Sequence, residues 1–277
     1  MNRFNTIVCA ALALGLFSQQ ADAALVGLWR FEGNANDSST FGNNGTFQNG
    51  ASLSGNVPGA FSTQSLFVNG GTQHVLVPDS NSLDVTGTTG ITLAGWVRST
   101  NPQVGFDGVI AKNPSNGSAN NHAGNYELRI QSGSRVPNFG YQRGGVDDTS
   151  NGFNSTTALV DDVWTHVAVT AQDIGPNTAI IYYVNGVLAG SSLTQLDGFG
   201  AINTNALFIG NRADLFTVMN GFLDDVAVFN EVLSQSQIQQ IQQGNFGAFG
   251  VGIPEPTAAV LGALGLASLL PRRRRAA

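Results

Sequence analysis

Cysteine is all but missing from this chain: Cys9 is the only one in 277 residues, and it sits in an apolar N-terminal stretch. A disulfide framework and a cysteine-ligated metal site are therefore excluded. Charge is scarce as well, at 11% of residues, with 18 acidic side chains against 12 basic ones. An acidic balance of this kind argues against a nucleic-acid partner, whose affinity depends on basic groups neutralising phosphates. His74, His122 and His166 share no H-E-x-x-H spacing. No serine stands in a G-x-S-x-G elbow, and no G-x-x-x-x-G-K-[ST] loop occurs. Zinc peptidases, elbow-type serine hydrolases and P-loop nucleotide enzymes are thereby set aside.

What the chain has in quantity is glycine, 35 residues, alongside 42% hydrophobic residues. That is the composition of a turn-rich globular protein. The clearest local signal runs from Val163 to Ser191. Trp164, His166 and Ala168 alternate with Thr165, Val167 and Val169, the period of a strand. Ile180 to Val184 is β-branched and aromatic, and Asn185-Gly186 precedes Val187-Leu188-Ala189. Both central positions of a type I′ turn require positive φ, which Asn and Gly tolerate, so a hairpin is expected there.

Further strands are expected at 25–31, 65–69, 73–77, 91–99, 108–112, 126–131, 137–141, 206–210 and 222–229, with long polar loops at 113–125 and 142–157. About a dozen short strands separated by turn clusters predict an all-β, two-sheet antiparallel sandwich. One helix is expected late in the chain. Ser234 and Gln237 have capping-box spacing, Leu233 and Ile238 form a hydrophobic staple, and Gly244 closes the helix.

The two ends read differently. Residues 1–23 have the parts of a secretory signal peptide: Arg3, an apolar run from Ile7 to Phe17, and Ala21-Asp22-Ala23 as cleavage site. After a Gly-rich linker at 244–252 comes Pro254-Glu255-Pro256, then an apolar segment from Ala258 to Leu270 expected to be helical, then Arg272 to Arg275. At 1.5 Å per residue that segment is about 20 Å long, short of a hydrocarbon core of about 30 Å. Residues 253–277 resemble the PEP-CTERM sorting signal of exported bacterial proteins. The resemblance implies recognition of Pro254, Glu255 and Pro256 by an exosortase-type membrane protease and transient membrane association through the tail. A plain C-terminal anchor is the alternative. Losing Arg3, the four terminal arginines and Asp22 leaves 7 basic and 17 acidic residues, a charge of −10.

Four motifs in order then resemble a family. They are Leu25-Val-Gly-Leu-Trp29-Arg-Phe31-Glu-Gly-Asn34-Ala-Asn-Asp37, Ile91-Thr-Leu-Ala-Gly-Trp96-Val-Arg98, Trp164-Thr-His166-Val-Ala-Val-Thr170 with Tyr183-Val-Asn-Gly186, and Gly221-Phe-Leu-Asp224-Asp225-Val-Ala-Val-Phe229. Residues 24–243 are similar to the laminin-G-like, concanavalin A-like jelly roll. The family implies two curved antiparallel sheets with the first strand close to the last. It also implies a structural Ca²⁺ where the loop after the first strand meets the last strand, with Asp37, Asn43, Asp224 and Asp225 as ligands and Glu32 and Asn34 as helpers. Ca²⁺ is a hard ion that takes six to eight oxygens, which Asp, Asn and backbone carbonyls supply. An Asx-type turn at Asp37 and a solvated Asp224-Asp225 pair are the alternative.

The same fold includes glycan hydrolases, whose chemistry needs two carboxylates across the scissile bond. The E-x-D-x-x-E strand of jelly-roll glucanases is absent, and Glu32, Glu127, Glu231 and Glu255 are isolated in sequence. Asp147-Asp148 and Asp161-Asp162 read as loop residues, and His166 as a packing residue. The expectation is a non-catalytic carbohydrate-binding or adhesion module of the cell surface or extracellular matrix. Its partner is a polysaccharide or a surface protein, and Trp96, Tyr141 and Tyr183 are candidates for sugar stacking, with core packing as the alternative.

Overall fold

The computed structural model describes residues 25–99, 105–112, 126–141, 153–194, 203–212 and 219–251. The signal peptide, most of both long loops, Pro254-Glu255-Pro256 and the apolar tail lie outside the described residues. In chain order the strands are β1 Leu25–Trp29, β2 Thr46–Gln48, β3 Ser52–Ser54, β4 Ser65–Asn69, β5 His74–Val77, β6 Ile91–Ser99, β7 Phe106–Lys112 and β8 Tyr126–Gln131. They continue as β9 Pro137–Tyr141, β10 Phe153–Asn154, β11 Thr165–Ile174, β12 Asn177–Val184, β13 Val187–Thr194, β14 Leu207–Ile209 and β15 Asn220–Phe229. A helix, α1, spans Gln235–Gln242.

The larger sheet runs β13-β12-β11-β6-β15-β4-β3, with β1 also on β15, and the smaller runs β10-β9-β8-β7-β14-β5-β2. Both are antiparallel throughout, as expected of the sandwich. The hairpin forms as predicted: Asn185 and Gly186 hold φ of 50° and 71° and join Val184 to its partner Val187. Strand β11 continues to Ile174, so 171–174, expected as a connection, extend the ladder opposite β12. Strands β2, β3 and β10 are two or three residues long, too short to show a period, and were not foreseen.

Strand β15 organises the larger sheet. On one side it pairs with β6 along most of its length. On the other side it pairs first with β4, through Asn220 to Leu223, and then with β1, through Val226 to Phe229. The first and last strands are thus neighbours, as the family resemblance implies. The partner changes at Asp224-Asp225, where the register against β6 also slips.

Between the sheets lies the main core, including Trp29, Leu128, Phe139, Val169, Tyr182, Leu223, Val226 and Val228. A second apolar cluster covers the outer face of the larger sheet, where Ala94, Ala168, Ala227 and Phe229 meet Leu233, Ile238, Ile241, Phe246 and Phe249. Helix α1 is what brings this cover down. Ser234 Oγ accepts from the Gln237 amide and the Gln237 side chain accepts from the Ser234 amide, completing the predicted capping box. Ile238 and Ile241 are then fully buried, each side chain stabilising the fold by about 1.5–3 kcal/mol.

Candidate functional site

Asp224 and Asp225 occupy a β-bulge. Leu223 faces the inner core and so does Val226, three residues on rather than two. One residue is extra, and the strand absorbs it by placing Asp225 in the left-handed region at φ 45°. The bulge corrects the simple alternation in which Asp224 would share a face with Val226 and Val228. Asp224 is opposite Trp96 and belongs instead to the outer face.

Both aspartates are buried, at 0% and 2% exposure. Asp224 Oδ1 accepts the Asp225 amide at 2.9 Å, and Asp225 Oδ1 accepts Arg30 Nε at 3.0 Å. The two Oδ2 atoms have no hydrogen-bond partner among the described residues, and the buried Ser62 hydroxyl beside Asp224 lies outside hydrogen-bonding geometry. Arg30 thus neutralises Asp225, and Asp224 has no cation of its own among the described residues. Burial first, then the charge of Asp225, push the Asp224 carboxyl up to about 8. Burial raises Asp225 to about 6 against the opposing pull of Arg30. At neutral pH the excess negative charge is removed by a proton on Asp224, which a cation would have to displace.

The loop expected to complete the metal site is near but separately engaged. Asp37 Oδ1 accepts the amides of Leu28 at 2.9 Å and Ser39 at 2.8 Å, while its Oδ2 accepts the Asn43 amide at 2.8 Å and Ser39 Oγ at 2.7 Å. Asn43 donates Nδ2 to the Val26 carbonyl and to Ser82 Oγ, and its own carbonyl accepts Trp29 Nε1. Asp37 and Asn43 thus hold the loop against β1. Trp29 has Asp37 as its bridge partner and Val226 as its ladder partner. Strand β1 therefore lies between the loop and β15, a separation of about two strand spacings, roughly 10 Å. Glu32 accepts from the amide and hydroxyl of Thr63, and Asn34 Oδ1 accepts the Asn36 amide. The structure brings together Asp37 with Asn43, and Asp224 with Asp225, but does not gather the four around one point. Among the described residues no group of three or more His, Cys, Asp or Glu side chains is placed to hold a metal ion.

A second feature of the outer face went unnoticed in the sequence. One rung crosses the larger sheet from Trp164, next to β11, through Arg98 on β6 and Phe222 on β15 to Phe67 on β4. The rings of Phe67 and Phe222 are 5.1 Å apart, those of Trp164 and Phe222 6.2 Å, and Arg98 Cζ lies 5.6 Å from the Phe222 centroid. All four side chains are half-buried. Trp164 Nε1 donates to Asn56 Oδ1 at 2.9 Å, which fixes its ring. By contrast Trp96 and Tyr183 are 9% and 7% exposed and belong to the cover beneath Phe61 and α1, the core alternative to sugar stacking. The side chain of Tyr141 lies outside the described residues. No local signal in the sequence marks the row, because its four residues come from separate segments that only the strand pairing brings together.

Other candidates are engaged structurally. Glu127 on β8 meets Arg129 Nη1 at 3.1 Å and Arg212 Nη1 at 3.6 Å, while Arg129 stacks on Phe106 and donates to Asn138. That carboxylate is clamped between guanidiniums. Asp161 pairs with Arg135 Nε at 2.6 Å. His166 is buried against Trp96, and burial lowers its ring to about 3, so it stays neutral. His122 and Asp147-Asp148 lie outside the described residues.

Comparison with known proteins agrees with this architecture. The Laminin_G_3 family, described as the concanavalin A-like lectin/glucanases superfamily, matches residues 69–239. No curated protein matches the sequence. Among solved structures, the binding domain of Paraclostridial Mosquitocidal Protein 1 is similar with a TM-score of 0.56 and 16% identity, over 80% of this chain and 52% of that one. The binding domain of botulinum neurotoxin DC in complex with SialylT gives a TM-score of 0.55 and 14% identity, over 81% and 51%. A botulinum neurotoxin type C structure, whose cell entry is described as dependent upon interaction with two ganglioside molecules, gives 0.56 and 15%, over 81% and 51%. The chain spans about half the length of each of these structures, and at such identities the likeness is one of fold. With the family match covering more than half of its residues, and both sheets in place, the chain belongs to the laminin-G-type family of the concanavalin A-like lectin/glucanases superfamily.

Proposed function

We propose that this chain is an exported, non-catalytic glycan-binding module of the bacterial cell surface or extracellular matrix. The observation that carries the reading is the half-buried row of Trp164, Phe222 and Phe67 on the outer face of the larger sheet. Aromatic faces at this exposure offer a flat apolar surface to the C–H face of a sugar ring. The similar binding domains add support, since one was solved with SialylT and another concerns ganglioside interaction. Export through residues 1–23 and sorting through Pro254-Glu255-Pro256 by an exosortase-type protease belong to the same proposal, resting on the sequence motifs. Calcium enters it through the partnerless Oδ2 atoms of Asp224 and Asp225.

Retention of the full-length protein on immobilised polysaccharide, released by competing soluble glycan, tests the reading. The expected result is glycan-dependent retention without any change in the products of a digestion assay. Retention unaffected by competitor, or turnover of the polymer, overturns it. Protein adhesion is a second reading favoured by one observation: Val187, Leu188 and Leu193 are exposed on β13, the edge strand of the larger sheet.

A further inference from the structure

We propose that the row on the outer face takes an acidic glycan, a chain bearing carboxylate sugars, and that Arg98 selects it. The inference rests on the glycan-binding reading and names its ligand class. Cations are few in this protein, and among the described residues all but one are paired. Among the described residues Arg30 pairs with Asp225, Lys112 with Asp79 and Asp84, Arg129 and Arg212 with Glu127, and Arg135 with Asp107 and Asp161. Arg98 is the exception. Its guanidinium has neither a carboxylate nor a hydrogen-bond partner among the described residues, and of its three nitrogens only Nε is sealed from solvent.

That unpaired cation stands inside the aromatic row. Phe222 is its cross-strand partner, Phe67 is the partner of Phe222 on the far side, and Trp164 leans in until its ring is 6.2 Å from Phe222. Four adjacent strand positions at about 4.8 Å each span about 14 Å, long enough for an extended ligand to lie across the strands. A pyranose ring resting on Trp164 and Phe222 would bring a substituent carboxylate to the solvent-facing nitrogens of Arg98. There a guanidinium can accept it through two parallel hydrogen bonds. The flanking rings strengthen this contact by excluding water. A neutral sugar would stack equally well but would leave the guanidinium desolvated and unpaired. Selection therefore comes from the cost of the wrong ligand as much as from the gain of the right one.

The test is affinity of the full-length protein for three polymers: a polyuronate, the same polymer with its carboxyls reduced to alcohols, and a neutral glucan. The expected result is tightest binding to the polyuronate, with Arg98→Gln losing about tenfold or more on that polymer alone, the scale of a charge-assisted hydrogen bond. Arg98→Lys should restore part of the loss, and Trp164→Ala should weaken all three. Melting curves of each variant separate lost binding from lost folding. Equal affinity for the polyuronate and its reduced form overturns the inference while leaving glycan binding intact. Polyuronate binding untouched by both Arg98→Gln and Trp164→Ala overturns the location, and absence of binding to every polymer overturns the glycan reading itself.

Discussion

Asp224 is a buried acid that holds its proton at neutral pH. Its carboxyl is raised by burial and by Asp225 to about 8, so between roughly pH 4 and 8 the folded state holds a proton that the unfolded chain has released. Stability from this group is full below the unfolded value and is lost as pH rises through the folded one. Asp224→Asn removes the titration, and its melting temperature should overtake that of the wild type by pH 8.5, by the few degrees that about 1 kcal/mol gives in a chain of this size. Unfolding followed by circular dichroism from pH 5 to 9 measures this, and parallel profiles would sink the assignment. The same residue decides the metal question. Millimolar Ca²⁺ against chelator should raise the wild-type melting temperature at pH 7.5 and leave Asp224→Asn unmoved, since a ligand bound only by the folded state must stabilise it. Equal wild-type curves remove calcium from the proposal. Sequence alone picked out these aspartates as chemically awkward. It could not show the bulge that turns both to the outer face, because a bulge depends on what the neighbouring strands do.

At the scale of elements, legibility followed local chemistry. The Asn185-Gly186 hairpin and the Ser234-Gln237 capping box were readable because a few adjacent residues determine each of them. The three short strands β2, β3 and β10 owe their pairing to distant partners and leave no period to read. Helix α1 was legible as a helix but not as a cover, since two isoleucines in a glutamine-rich segment look peripheral until Leu233, Phe246 and Phe249 are seen around them. The packing predicts unequal costs. Ser234→Ala, which loses the cap, should cost about 1 kcal/mol. Ile238→Ala, which opens the second cluster, should cost about 2–5 kcal/mol. Urea unfolding of the two variants separates them, and comparable small losses would show α1 to be loosely attached.

For the whole molecule, the class of fold was legible from strand count and turn spacing, whereas the contact between β1 and β15 was not, because periodicity says nothing about which strands meet. The family resemblance supplied it. The aromatic row stayed hidden for the same reason: its four residues come from separate segments between Phe67 and Phe222 and become neighbours only when the sheet forms. The proposal of export and sorting makes its own prediction at this scale. The intact mass of protein recovered outside the cell should correspond to a chain starting at Ala24 and ending near Pro254-Glu255-Pro256. A recovered species retaining the arginine cluster would instead mark the tail as a lasting anchor. The seating of β15 has one more effect. Residues 220–229 follow every other described strand in the chain yet occupy the middle of the larger sheet, with β6 on one side and β4 and β1 on the other. A growing polypeptide cut short before them would have a gap at its centre, so the larger sheet cannot close until these ten residues have been made.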